Sequence, residues 1–507
     1  MVRMWLLISR SRQDYKIRST SIMMRALDSK IPLILSVMIV LRRPHRIMVQ
    51  AAKTQNDPAL VAHLYRRAGF GATREQVDRL SERDYADIVE FLLHPLSFNG
   101  VHDDEISRYM GGESPHAYLA TWIFRMINSG NQLQEKMALF WHHVFATGLA
   151  KNEHILSASN QIEMFRGNGM SDMRTILLDL SRDPAMIFWL DNNENHKFEP
   201  NENYGRELLE LFSLGVGNYT ELDIKNAARA FTGWTFAQSP PLYPHGYYPC
   251  EFVFKEEDHD NSEKQFLGHT GNFDGSDVID IIVAQPACAA FISRHLYNFF
   301  VADEPQVPTW NEVAPQDPHL IDAMSEAFTS SGGDIKSVLR VMFNSNAFKD
   351  ARFKKVKSPI ELVVGILKMV GNFDDFRPGL SAYADSTTVV MGQKLLDPPS
   401  VEGWHTGKEW IDGGNLTERV NFAVSEIDDG GSPGMQQIID RIVDSVSNVA
   451  PDDFVDSALD AMGPITVEDS TYEALIKYAR DSEGTDDRLR AVRIVSLIVS
   501  TPEYQFA

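Results

Sequence analysis

Cysteine is almost missing from this chain of 507 residues: Cys250 and Cys288 are the only two. That excludes a disulfide framework and any Cys/His zinc spacing. Two buried thiols are the expected state, with one bridge between them as the alternative. Basic charge is short as well, 48 Lys and Arg against 70 Asp and Glu, for a formal net charge of −22. A phosphate backbone is held by clustered Lys and Arg, so no nucleic-acid partner is expected. Nucleophile elbows, Walker loops, HExxH pairs and Rossmann glycines are all absent, and no internal repeat is visible.

Long apolar runs are lacking too. The first 47 residues carry ten Lys or Arg against two Asp or Glu, and their one apolar run is Ile31 to Leu41. A bilayer span takes about 20 residues, so no transmembrane segment is expected. Arg42, Arg43, His45 and Arg46 stand where a signal peptide would carry its small-residue cleavage site. Residues 1–55 therefore read as a disordered extension, or as sequence upstream of a true start at Met48. A cytoplasmic location follows from the lack of a clear signal peptide.

What remains is ordinary globular material, 43% hydrophobic and 23% charged. Helix signals recur from Asn56 on: Asp57-Pro58, Thr73 (capping a helix to about Leu93), Ser114-Pro115, Asp317-Pro318, and a capping box with proline at Ser358-Pro359-Ile360-Glu361. Between Trp234 and Asp274 the pattern breaks into aromatics, prolines and short alternation, an irregular insertion (235–273) with about two short strands. The run DDGGSPG from Asp428 marks a boundary. The fold class is all-α: a large multi-helix body over 56–427, holding that insertion, and a smaller acidic lobe of three or four helices over 428–507.

Side-chain oxygens crowd the stretch from Asp191 into the helix that follows. At about 100° per residue, a helix from Glu202 to about Gly215 places Glu202, Asn203, Arg206, Glu207, Glu210 and Ser213 on one narrow polar stripe. The rest of its circumference is apolar, so the stripe has to face a partner. Arg206 lies four residues from both Glu202 and Glu210 and can bridge them. Glu207 and Glu210 then suit metal ligation or acid/base work, with Glu202 and Arg206 beside them. The alternative is a structural ion-pair network. Just upstream, Asp191, Asn193, Asn195, Glu199 and Glu202 fall at positions one, three, five, nine and twelve of a calcium-loop spacing, although His196 stands where that loop wants Gly. The competing reading is a polar loop whose Asx side chains satisfy their own backbone.

Two histidine motifs complete the candidates. His142, in Trp141-His142-His143, is a candidate metal ligand or a satisfied core group. His259, between Asp258 and Asp260, suits a metal ligand or a base oriented by an acid, or simply a turn. The basic run Lys354, Lys355 and Lys357 reads as a solvated loop.

The chain resembles a bacterial family known as domain of unknown function 1800. The resemblance runs from about Pro58 nearly to the C-terminus on HLYRRAGFG (63–71), LFWHHVFATG (139–148), NENYGRELLELFSLGVGNYTELD (201–223), FTGW (231–234), His259 with KQFLG (264–268), QPACAAFISRHLYNFFV (285–301) and DPPSVEGW (397–404). It implies no activity, cofactor or site residue. Relatives that look exported make a secreted or surface location the alternative. Many relatives read WHxHF where this chain has Val144 in place of the second histidine.

Two functions are therefore expected. One is a metal-dependent enzyme, a hydrolase, in which His142, Glu207, Glu210, His259 and Asp260 converge on one cleft around a divalent ion. The other is a non-catalytic helical scaffold or binding module whose polar residues form a buried network. The small-molecule or protein partner is not named by the sequence.

Overall fold

Helices begin where Ser, Thr, Asp and Pro sit at the caps. In the computed structural model Asp57 accepts from the Ala59 N–H at 2.9 Å at the head of the Pro58–Arg67 helix. Thr73, Thr220, Asp274 and Ser358 each close a capping box. Every such cap satisfies a backbone donor that the helix itself leaves unpaired. The structure describes residues 56–507 except 99, 103–105, 107, 109–113, 153, 239–248, 378, 428–429 and 446–449. The extension over 1–55, part of the insertion and the start of the expected boundary at 428 lie outside the described residues.

Among the described residues 23 α-helices stand against two two-stranded sheets, an all-α fold. None of these helices alone is long and apolar enough to cross a membrane. Residues Lys53–Ala507 form one compact unit.

At the centre lies the Gln132–Val144 helix, with 11 of its 13 residues buried. A helix buried almost all round needs partners for its polar positions. Trp141 stacks on Phe145 and donates its indole N–H to the Gly169 carbonyl at 2.8 Å. Glu135 takes the Arg166 Nε–H at 2.8 Å, and Lys136 pairs with Glu361. The Ile155–Asn168 helix packs along it, Phe140 meets Phe299 and Phe300 of the Pro286–Phe300 helix, and that helix packs in succession with Pro318–Ser330 and Ile335–Asn344. Pro359–Val370 buries nine of its twelve residues against Pro115–Asn128, Gly413–Ile427 and Pro433–Ser445. Each Val, Leu or Ile buried there contributes about 1.5–3 kcal/mol.

Four helices follow residue 432: Pro433–Ser445, Pro451–Ala461, Asp469–Asp481 and Asp487–Val499. Gly434 sets their entry, because a Cβ at that position would lie 2.0 Å from the Met369 carbonyl oxygen.

Local structure departs from the sequence reading in three places. The helix expected from Thr73 to about Leu93 is two helices, Arg74–Ser81 and Tyr85–Leu93. Asp84 between them is extended, in keeping with the turn and cap preferences of Ser81 and Asp84. The helix expected from Glu202 to about Gly215 ends as an α-helix at Glu210. Phe212 and Leu214 donate five residues back, to the Glu207 and Leu209 carbonyls, and Gly215 closes the turn at φ +78°. The insertion holds four short strands rather than two. β1 (Trp234–Gln238) pairs antiparallel with β2 (Cys250–Phe254), with Trp234 opposite Phe254. β3 (Lys264–Phe266) pairs with β4 (His269–Gly271) and packs on the Glu221–Ala230 helix.

Candidate functional site

The polar stripe of the Asn203–Glu210 helix divides its partners. Arg206 reaches Glu202 at 3.3 Å and Glu221, at the head of the next helix, at 3.0 Å. The expected bridge from Arg206 to Glu210 is not formed; Glu210 instead accepts from the Tyr219 hydroxyl at 3.0 Å. The Glu207 carboxyl makes no hydrogen bond or ion pair with any described residue. Burial, with Glu210 and Glu402 beside it and Arg206 opposing, pushes its carboxyl up to about 7.

The Asp191–Glu202 loop turns its oxygens outward from any common centre. Asp191 pairs with Lys151 at 2.7 Å, and Glu202 turns to Arg206. Asn195 is buried, giving its amide N–H to the Ala228 carbonyl at 2.8 Å and accepting from Asn201 N–H at 2.9 Å. Asn192 caps the far side through the Trp234 carbonyl at 2.9 Å. Asn193 donates to Glu194. Asx self-satisfaction explains this loop, and it staples the chain onto the end of the Glu221–Ala230 helix.

Each histidine is held by a local bond through one ring nitrogen. His142 is buried; its Nε2 accepts the Leu396 N–H at 3.0 Å, and Trp122 and Trp404 stand edge-on to its ring. Burial, with His143 adjacent, lowers its pKa to about 3. His259 binds the Thr232 carbonyl through Nδ1 at 2.9 Å and packs against Phe254. Asp260 is taken by the Arg229 Nε–H at 2.7 Å; although burial opposes it, that bond and Ser262 hold the carboxyl at about 2. His142, the Glu207/Glu210 pair, and His259 with Asp260 on Thr232 thus each have their own local partners. Among the described residues no group of three or more His, Cys, Asp or Glu is set to hold a metal ion.

Sequence reasoning missed the principal cavity. It measures about 450 Å³ and lies between the Pro58–Arg67 and Arg74–Ser81 helices, the Pro359–Val370 helix and the C-terminal helices. Small-molecule sites run to about 300–1,000 Å³. Its apolar wall includes Phe70, Phe353, Leu362, Met369, Ile438 and Ile465. Six cations line it, Arg66, Arg74, Arg79, Lys357, Lys368 and Arg441, against three carboxylates, Glu75, Glu361 and Asp374.

Most of these charges already have partners. Arg74 and Arg441 both reach Asp78 and Asp460, and Arg79 reaches Glu75. Glu361 is bridged by Lys136, which with Arg67 holds its carboxyl at about 2 against burial. Arg66 donates only to the Gly463 carbonyl at 2.7 Å, while its Nε is buried without a partner. Lys357 donates to the Tyr504 carbonyl at 2.7 Å. The Lys368 ammonium makes no hydrogen bond or ion pair with any described residue, and burial lowers its pKa to about 7.

With this geometry in place, comparison with known proteins adds one result. A family model described as "Protein of unknown function (DUF1800)" matches residues 63–506. The chain belongs to that family. No curated protein and no solved structure matches it. Within the DUF1800 match, the segment HLYRRAGFG supplies Arg66, Phe70 and Gly71 to the cavity. Lys355 and Lys357, read above as a solvated loop, are neither free nor solvated: Lys355 is buried on Asp303 at 2.6 Å, and Lys357 lines the cavity. The capping box at Ser358 was the available signal, since it places this basic run at the mouth of a buried helix. His143 was the other omission. It faces a small space shared with Lys355 and Glu361, its ring stacked on Trp404.

Proposed function

We propose that this protein is a helical binding module for a small molecule, which occupies the 450 Å³ cavity between the N-terminal and C-terminal helices. The observation that carries the reading is the cavity itself: ligand-sized, walled by apolar side chains, and holding convergent polar groups not matched within the protein. The buried pairs around it, Lys136 with Glu361 and Lys355 with Asp303, support a rigid frame in which the site is already formed.

A thermal-shift screen of neutral, anionic and cationic fragments tests this. Gly365 lines the cavity, and a Cβ there meets nothing closer than the Phe70 carbonyl oxygen at 3.6 Å, so Gly365→Leu is the substitution chosen to fill the space. Fragments that raise the melting temperature of the wild type and not of Gly365→Leu support the proposal; a screen with no such fragment overturns it.

The metal-dependent hydrolase is the second reading. Its support is Glu207, an unpaired carboxyl pushed up to about 7, the range of a general acid or base. His142 and His259 each commit one ring nitrogen elsewhere, Nε2 to the Leu396 N–H and Nδ1 to the Thr232 carbonyl, and His142 Nδ1 is buried without a partner. Stoichiometric metal by mass spectrometry, with a melt sensitive to chelator and to Glu207→Gln, would favour this reading over the first.

A further inference from the structure

A cavity's unmatched charge says what its occupant must carry. Once the partnered groups are set aside, three cations remain in the wall, Arg66, Lys357 and Lys368, against one carboxylate, the exposed Asp374. This surplus stands in a chain whose formal net charge is −22. It is therefore a local arrangement rather than a spill-over of overall charge. Arg66 and Lys357 have at least carbonyl dipoles to lean on. The half-buried Lys368 has none among the described residues, so an anionic group in the cavity would supply the counter-charge that its ammonium lacks.

The apolar residues share the same walls. Leu362, Gly365 and Met369 lie on the helix that carries Lys368, and Ile438 comes from the facing Pro433–Ser445 helix. A hydrophilic ion such as free phosphate would leave those walls unsatisfied, while a neutral apolar compound would leave Lys368 unsatisfied.

Resting on the binding reading above, we infer that the ligand is an amphipathic organic oxyanion. Its carboxylate or phosphate head lies on the Lys368 ammonium, with Arg66 and Lys357 contributing. Its apolar body lies along Leu362, Met369 and Ile438. Head and body are both required, because each alone leaves one half of the cavity unmatched.

Isothermal titration of the full chain with four probes tests this: octanoate, octyl phosphate, octanol and inorganic phosphate. The expected result is measurable binding of octanoate or octyl phosphate, and at least tenfold weaker binding of octanol and of inorganic phosphate. The better of the two eight-carbon anions identifies the head group. Lys368→Met is expected to weaken that anion at least tenfold, and Lys368→Arg to retain most of its affinity, with unchanged far-ultraviolet circular dichroism showing that both variants fold. Octanol binding as tightly as the anions, or Lys368→Met binding as the wild type does, overturns the oxyanion inference while leaving the binding module standing. Binding of none of the four overturns the inference, and the fragment screen with Gly365→Leu then decides the binding reading separately.

Discussion

Lys136 and Glu361 form an ion pair sealed from solvent, with side-chain exposures of 0% and 6%. The lysine also donates to the Gly69 carbonyl at 3.0 Å, and the glutamate closes the capping box of its own helix. The pair joins the central helix to the wall of the cavity. Removing one partner of a buried pair strands the other charge, at a cost of about 3–5 kcal/mol. Lys136→Met is expected to lose that much in urea unfolding. The double variant Lys136→Met/Glu361→Gln is expected to lose less than the two single changes summed, since neither leaves an isolated charge once both are gone. Additive losses would show that the two side chains do not act as a pair.

Four histidines are held neutral by burial: His63, His142 and His295 at about 3, and His143 at about 4. The unfolded chain takes up these protons near the ordinary value of about 6.5. Between 6.5 and about 3 it binds more protons than the folded chain, so stability falls as pH falls through that window. Asp183 and Glu207, both pushed up to about 7 by burial, act in the opposite sense, losing stability as pH rises from about 4 to 7. The histidines are more numerous and set the slope. His295 lies between Phe291 and Trp310 with a buried, unpartnered Nε2. His295→Leu is therefore expected to change stability little at pH 8 and to flatten the fall between pH 6 and 4, read as melting temperature against pH. An unchanged acid limb would place its origin elsewhere.

Two glycines of the cavity wall should respond in opposite directions. Gly365 is mid-helix and a Cβ there would make only ordinary van der Waals contact, with the Phe70 carbonyl oxygen at 3.6 Å, so Gly365→Ala is expected to add about 0.5–1 kcal/mol through the smaller entropy of the unfolded chain. At Gly434 the new Cβ would meet the Met369 carbonyl at 2.0 Å and the Val370 carbonyl carbon at 2.9 Å, backbone that cannot rotate away. Gly434→Ala is expected to cost about 1–3 kcal/mol. Urea midpoints of both variants check this, and equal effects would contradict the close approach of the two helices.

These sites also show what a sequence makes legible. The capping box at Ser358-Glu361 is local, four residues long, and forms as read. The all-α class follows from the same local signals. The polar stripe at Glu202–Glu210 was visible for that reason too, yet Arg206 chose Glu221 over Glu210 because the next helix returns alongside. Periodicity says which side chains share a face and nothing about what that face meets. The cavity gathers Arg66, Lys357, Lys368, Arg441 and Tyr504 from opposite ends of the chain. Each is unremarkable where it stands, and a basic run like Lys354 to Lys357 looks solvated until Asp303 and Tyr504 arrive from elsewhere.

Lys368 offers the most direct reading of the cavity's charge. Burial lowers its pKa from the ordinary value of 10.5 to about 7. For a base lowered on folding, stability is full above the unfolded pKa and is lost as pH falls toward the folded one. The wild type is thus expected to be more stable at pH 9 than at pH 7 in this respect. The charged and titratable groups facing the same space are Arg66, Arg74, Glu75, Arg79, Lys357, Glu361, Asp374, Arg441 and Tyr504. Of these Lys357, also lowered by burial, pulls in the same direction. Lys357→Met is therefore the necessary companion variant. Lys368→Met should raise stability at pH 7 and remove its own part of the slope between pH 7 and 9, leaving the part due to Lys357. A saturating oxyanion should do the same to the wild type, because it keeps the ammonium charged in the folded state. Urea unfolding at the two pH values, with and without octanoate or octyl phosphate, measures each term. A wild-type slope that neither Lys368→Met nor the anion reduces would mean that Lys368 finds its counter-charge within the protein after all.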